Sequence, residues 1–124
     1  MKVRAVAVAS SEIPSSIEPY TRQTFVTVGK EYVVHAIAVL GSGVPFLQYI
    51  DDHGMPAWTP TLLFEPIDYS LPADWICNCF TGNDGWLALL LGPDFIAKDV
   101  PSYVAMVELE PEQVDRLRKR VEQD

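Results

Sequence analysis

The chain has 124 residues, with 17 Asp and Glu against 9 Lys and Arg, a formal net charge of -8 and a hydrophobic share of 48%. That length serves one hydrophobic core rather than two, and that apolar content excludes wholesale disorder. Two cysteines are too few for a disulfide scaffold, and the acidic balance excludes a general nucleic-acid binder, which needs cations for phosphates.

Lys2–Ala9 reads as a first strand. Its early charges mimic a signal peptide, but the apolar run Ala5–Ala9 falls short of the roughly 7–15 residues such a segment needs. No segment approaches the ~20 apolar residues of a membrane span. A cytoplasmic protein without a membrane partner is therefore expected. Ser10–Gln23, with Pro14, Pro19 and several serines, reads as a loop, and Thr24–Val28 as a strand or strand extension. Glu31–Leu40 (EYVVHAIAVL) is rich in β-branched and aromatic residues and predicts one strong strand, with Tyr32, Val34, Ala36 and Ala38 on one face. After the turn Gly41-Ser42-Gly43, Val44–Ile50 predicts the next strand and Asp51-Asp52-His53-Gly54 a hairpin turn.

Ala57–Phe64 follows as a strand interrupted by Pro60, hence an edge or bulged strand. Pro66 and Pro72 bracket an expected loop around Ile67-Asp68-Tyr69. Asp74–Phe80 (DWICNCF) alternates, with Trp75, Cys77 and Cys79 opposite Ile76, Asn78 and Phe80. Trp86–Leu91 is apolar on both faces and predicts an internal or closely covered strand. Phe95–Lys98 reads as a short strand or turn, and Ser102–Glu108 as the last strand. The tail differs. Pro111 suits a first helical position, and Val114, Leu117 and Val121 recur at helical spacing, so Glu112–Gln123 predicts the one helix. Arg116, Lys119 and Arg120 lie on its polar side, consistent with docking on an acidic body or with self-association.

Charge is unevenly placed. From Glu31 to Ala97 there is no Lys or Arg, while the stretch holds eight acids: Glu31, Asp51, Asp52, Glu65, Asp68, Asp74, Asp84 and Asp94. Such a middle is either a solvated acidic surface or a face that steers a basic partner.

No catalytic signature stands out. Cys77-x-Cys79 has the wrong spacing for a common zinc site, and only His35 and His53 could join it. Buried free thiols are the plainer reading, and a thiolate nucleophile would want positive neighbours that this stretch lacks. The carboxylates lack the polar and cationic company of an acid–base site, and Asp51 and Asp52 suit a hairpin turn. No Walker loop, dinucleotide fingerprint or nucleophile elbow is present. Of the aromatics, Trp58, just after the acidic hairpin, best fits an interface anchor.

Short strands, turn signals about every ten residues and one terminal helix predict a mainly β single domain over 1–124, a β body over 1–110 and a helix over 111–123. A small antiparallel barrel and a two-sheet roll both satisfy the pattern. Gly29-Lys30-Glu31-Tyr32, the hairpin Tyr49-Ile50-Asp51-Asp52-His53-Gly54, then Trp58, Pro60 and Leu63-Phe64-Glu65, continued by Asp68, Pro72 and Trp75, resemble small bacterial SH3-like barrel proteins. The resemblance covers about residues 29–75, and some such proteins are toxin immunity proteins. It implies a non-enzymatic protein that occludes a basic partner, such as a toxin domain. The alternative is a small-ligand or peptide-binding regulatory module. The expected partner-binding residues are Asp51, Asp52, Trp58, Glu65, Asp68 and Asp84. No catalytic residue, cofactor or metal is expected, and a homodimer stays open.

Overall fold

A computed structural model describes residues 1–6, 25–81 and 85–123. The expected loop Ser10–Gln23 and the candidate Asp84 lie outside them. Among the described residues, eight strands form two antiparallel sheets. β1 (Lys2–Ala5), β2 (Glu31–Val33) and β6 (Phe64–Asp68) make a three-stranded sheet in the order β2-β1-β6. β3 (Ala36–Leu40), β4 (Pro45–Ile50), β5 (Pro56–Pro60), β7 (Ile76–Cys79) and β8 (Leu87–Gly92) make a five-stranded sheet in the order β5-β4-β3-β8-β7. The fold is mainly β, as the sequence predicts. The sheets do not close into a barrel, so the two-sheet alternative holds and the barrel does not.

The expected strand Glu31–Leu40 is divided between the two sheets. The Val34 amide donates to the Met1 carbonyl at 2.9 Å and the His35 amide to the Gln48 carbonyl at 2.8 Å, so the chain changes pairing partner at this point. The change also turns its faces. Tyr32 and Val34 pack in a core with Val3, Ala5, Leu47, Tyr49, Leu63 and Phe64, between the small sheet and one face of the large one. Ala36 and Ala38 are equally buried, as their alternation predicts, but in clusters formed with the helices on the other face. Thr61–Leu63 makes a similar crossing. Pro60 removes an amide from the ladder, a single 3-10 turn follows, and the chain leaves β5, an edge strand, for β6 in the small sheet. Residues 64–68 are strand, so Pro66, Ile67 and Asp68 belong to β6 rather than to the expected loop, because Pro66 sits on an edge where no ladder donor is needed. Residues 25–28, expected as strand, take irregular backbone and a turn.

The larger correction concerns residues 94–107. Asp94–Ala97 is one helical turn (α1) and Val100–Val107 a helix (α2), preceding α3 at Pro111–Gln123. Neither the last strand expected at Ser102–Glu108 nor an all-β body up to residue 110 exists. The Asp99 side chain caps α2 by accepting from the Ser102 amide at 2.8 Å, and Pro101 lies in its first turn. Val100, Tyr103, Val104 and Val107 repeat at i, i+3, i+4, i+7, which is helical spacing. Ile96, Met106 and Leu117, all fully buried, pack against the small side chain of Ala36. Val114 and Leu117 dock α3 as expected, whereas Val121 is exposed.

Candidate functional site

The acidic hairpin forms as expected. The Gly54 amide donates to the Asp51 carbonyl at 2.9 Å, and Gly54 takes a φ of +77°, a left-handed conformation open to glycine. The Asp51 carboxylate closes the turn by accepting from the His53 and Met55 amides at 2.9 and 3.0 Å. Asp52 turns to the loop before β2. It accepts from the Lys30 ammonium and the Thr27 hydroxyl, each at 2.7 Å, and from the Tyr32 hydroxyl at 2.8 Å. Those bonds, Lys30's first, pull its pKa down to about 2.

Glu65 and Asp68, the other expected acids among the described residues, are likewise engaged. Glu65 accepts from Arg4 at 3.0 Å across the β1–β6 ladder. Asp68 accepts from the Ser70 hydroxyl and amide at 2.7 and 2.9 Å, which lower its pKa. Asp74 accepts two bonds from Arg120 of α3. Of the eight acids in the stretch without Lys or Arg, Asp52, Glu65 and Asp74 thus meet cations brought in from its flanks. Nor do the candidates converge. Glu65 and Asp68 belong to the small sheet, whereas Trp58 packs with the helices on the opposite face of the large sheet.

Trp58 does occupy a concave site. With Tyr103, Leu40, Phe46, Pro56, Val107 and Leu109 it lines an apolar groove of about 310 Å³ between β5 and α2. The Trp58 and Tyr103 rings meet edge to face at 5.2 Å, and the Trp86 ring lies 6.0 Å from that of Tyr103. Trp86 is 43% exposed, Val107 46% and Leu109 38%, so the groove continues into an open apolar surface. Groups of this kind, large aromatics with an apolar surround, anchor interfaces.

Leu109 sits there at the cost of backbone strain. α2 ends in a Schellman motif, in which the Glu110 amide donates to the Ala105 carbonyl at 3.0 Å and the Leu109 amide to the Met106 carbonyl at 3.1 Å. The residue following the cap is left-handed, a place usually filled by glycine, and here it is Leu109 with a φ of 57°. A leucine in that conformation costs about 1–2 kcal/mol. The gain is its side chain in the groove. Glu108 and Glu110 flank it, both exposed.

Tyr103, Val107 and Leu109 are absent from the expected site because residues 102–108 read as strand. The signal that finds them is the helical spacing beginning at Val100, together with Asp99 and Pro101. A second groove of about 360 Å³ lies where β2 meets the end of α3, lined by Tyr32, Val33, His35, Ile50 and Val121 with Lys30 and Glu31.

Cys77 and Cys79 correct the expectation of buried thiols. Both are exposed, on the face of β7 opposite Asn78. No group of three or more His, Cys, Asp or Glu stands ready for a metal among the described residues, and among those residues no helix is long and apolar enough to cross a membrane. Comparison with family models, with curated proteins and with solved structures finds no match.

Proposed function

We propose that this is a non-enzymatic binding protein that receives an apolar side chain of a basic partner in the groove of Trp58, Tyr103 and Leu109. Its most concrete form is an immunity protein that occludes a cognate bacterial toxin. The observation that carries the reading is the left-handed Leu109 beside the half-buried Trp58. Backbone strain retained at an exposed apolar site is hard to account for by folding alone. The net charge of -8 supports a basic partner, because long-range attraction speeds encounter before the groove is filled. Glu108 and Glu110 put carboxylates next to the groove itself, which the β4–β5 hairpin, with Asp52 tied to Lys30, supplies less well.

The test is growth rescue. The adjacent open reading frame is expressed from an inducible promoter with and without this chain. Rescue by the wild type, lost in Trp58→Ala and weakened in Glu108→Lys, supports the reading. A neighbour that is harmless, or that kills regardless, removes the toxin-antidote version. Rescue that survives Trp58→Ala removes the groove. A second reading, a small-ligand or peptide-binding module, draws on the volume of the groove, which lies at the lower end of the range for small-molecule sites. It is favoured instead if a stoichiometric small molecule, rather than a basic protein, copurifies.

A further inference from the structure

β7 (Ile76–Cys79) is an outer strand of the large sheet, and its pairing fixes where its side chains go. Asn78 stands opposite Leu90 and donates from its side-chain amide to the Lys98 and Ala97 carbonyls at 2.9 and 3.3 Å, on the helix side. Side chains alternate along a strand, so Cys77 and Cys79 share the other side. Both thiols are free and exposed. Their cross-strand neighbours are Leu91 and Leu89, both half-buried. Cysteine is among the most buried residue types, so two exposed side by side are not there for packing.

Neither a disulfide nor a zinc site fits the pair. A disulfide needs Cβ atoms about 3.5–4.5 Å apart, whereas same-face positions on a strand stand about 6.5–7 Å apart. A structural zinc ion takes four ligands, and no group of three or more His, Cys, Asp or Glu exists among the described residues. An ion satisfied by two sulfurs meets both constraints. Placed between the thiols, it replaces one sulfur–sulfur bond of about 2 Å by two metal–sulfur bonds of roughly 2.3 Å each, which lengthens the Cβ–Cβ span to about 6 Å. Cysteine side chains that lean towards each other along the strand then hold it. The sulfurs project beyond their Cβ atoms, so the ion stands above the strand, while the Asn78 side chain leaves by the opposite face.

We propose that Cys77 and Cys79 of a single chain bind one monovalent copper ion, Cu(I), between their two sulfurs. Thiolate is the soft ligand that Cu(I) prefers, whereas Mg(II) and Ca(II) seek oxygen. The net charge of -8 draws a cation to the chain. Leu89 and Leu91 give the soft ion an apolar flank. The step is ligand exchange without redox change: each thiol gives its proton to solvent, two copper–sulfur bonds form, and the metal stays Cu(I). The site is at the opposite edge of the large sheet from β5, so it is independent of the groove and of the function proposed for it.

The test uses the full chain, reduced and free of metal, titrated anaerobically with Cu(I) against a colorimetric Cu(I) chelator. Mass is followed by analytical ultracentrifugation, and the ligands by X-ray absorption at the copper edge. The expected result is one ion per chain on two sulfurs with no change of mass, while Zn(II) at the same concentration leaves the thiols open to a thiol reagent. Affinity falls at least tenfold in Cys77→Ser and in Cys79→Ser, whose thermal unfolding without metal stays that of the wild type because both side chains are exposed. Cys79→Ser/Thr81→Cys keeps two thiols per chain but sets them four residues apart, with the new one at an exposed position, and it loses the affinity as well. No binding, one ion shared by two chains, three sulfurs per ion, affinity kept in a single variant or in the relocated pair, or Zn(II) bound as tightly as Cu(I) overturns the proposal.

Discussion

The Lys30 ammonium lies 2.7 Å from Asp52, on the same carboxylate oxygen that takes the Tyr32 hydroxyl at 2.8 Å. This contact ties the loop before β2 to the β4–β5 hairpin. In the folded chain Asp52 thus holds two segments together.

A pH dependence follows. The folded Asp52 titrates at about 2, below its ordinary 3.8. Its contribution is therefore complete above the unfolded value and is lost as pH falls from about 4 towards 2. Urea unfolding of the wild type steepens its loss of stability across that window, and in Asp52→Asn the steepening is reduced. Asp68, Asp74 and Asp99, also depressed by hydrogen bonds, leave a residual acid limb in the variant. Lys30 is held protonated above its ordinary range, chiefly by its hydrogen bond to Asp52, so its contribution is complete below 10.5 and disappears as pH rises through the folded value.

Leu109 separates stability from binding. Leu109→Gly relieves the left-handed strain and raises unfolding stability by about 1 kcal/mol, less the added flexibility of glycine in the unfolded chain. The same change empties one wall of the groove and weakens partner binding. A variant that is more stable and binds less well is the expected outcome, read from chemical denaturation beside a binding titration. Equal binding means that Leu109 does not touch the partner.

Gly41 marks where β3 ends against the start of β8. Its amide donates to the Trp86 carbonyl at 2.9 Å, and a Cβ built on it would stand 1.6 Å from the Gly85 carbonyl oxygen. No side-chain rotation relieves a clash with backbone. Gly41→Ala is expected to cost at least the upper part of the roughly 1–3 kcal/mol typical of overpacking, measured by denaturant midpoint.

The attachment of α3 rests on apolar packing more than on charge. Leu117 is fully buried with Ala36, Ile96 and Met106, and Leu117→Ala is expected to cost about 2–5 kcal/mol. Arg120 reaches Asp74, whose carboxylate is largely exposed, so Arg120→Ala is expected to cost about 1 kcal/mol or less. A larger loss for Arg120→Ala than for Leu117→Ala reverses this ranking. Thermal melts of the two variants decide it.

The sequence by itself determined the mainly β class, the hairpin at 51–54, the alternation of β7 and the docking stripe of α3. In each case the signal is local: a side-chain period of two or of 3.6, or a turn that asks for Asp and Gly. Trp58 stands out in the sequence for the same reason, an aromatic next to a turn, and in the fold it lines the groove. Tertiary structure decided the rest. Residues 31–40 carry one unbroken strand pattern, yet two sheets share them, because Val34 finds Met1 and His35 finds Gln48 across long sequence separations. Residues 102–107 are rich in β-branched and aromatic side chains but fold as a helix, because Asp99 caps it and Ile96, Met106 and Leu117 bury together over Ala36. The stretch without Lys or Arg reads as an acidic surface, solvated or steering a partner, yet Arg4, Lys30 and Arg120 reach three of its acids from outside. Periodicity records which side of an element is apolar. Which element covers that side, and which distant charge arrives beside an acid, depend on how the chain crosses itself, and no single window of sequence contains that.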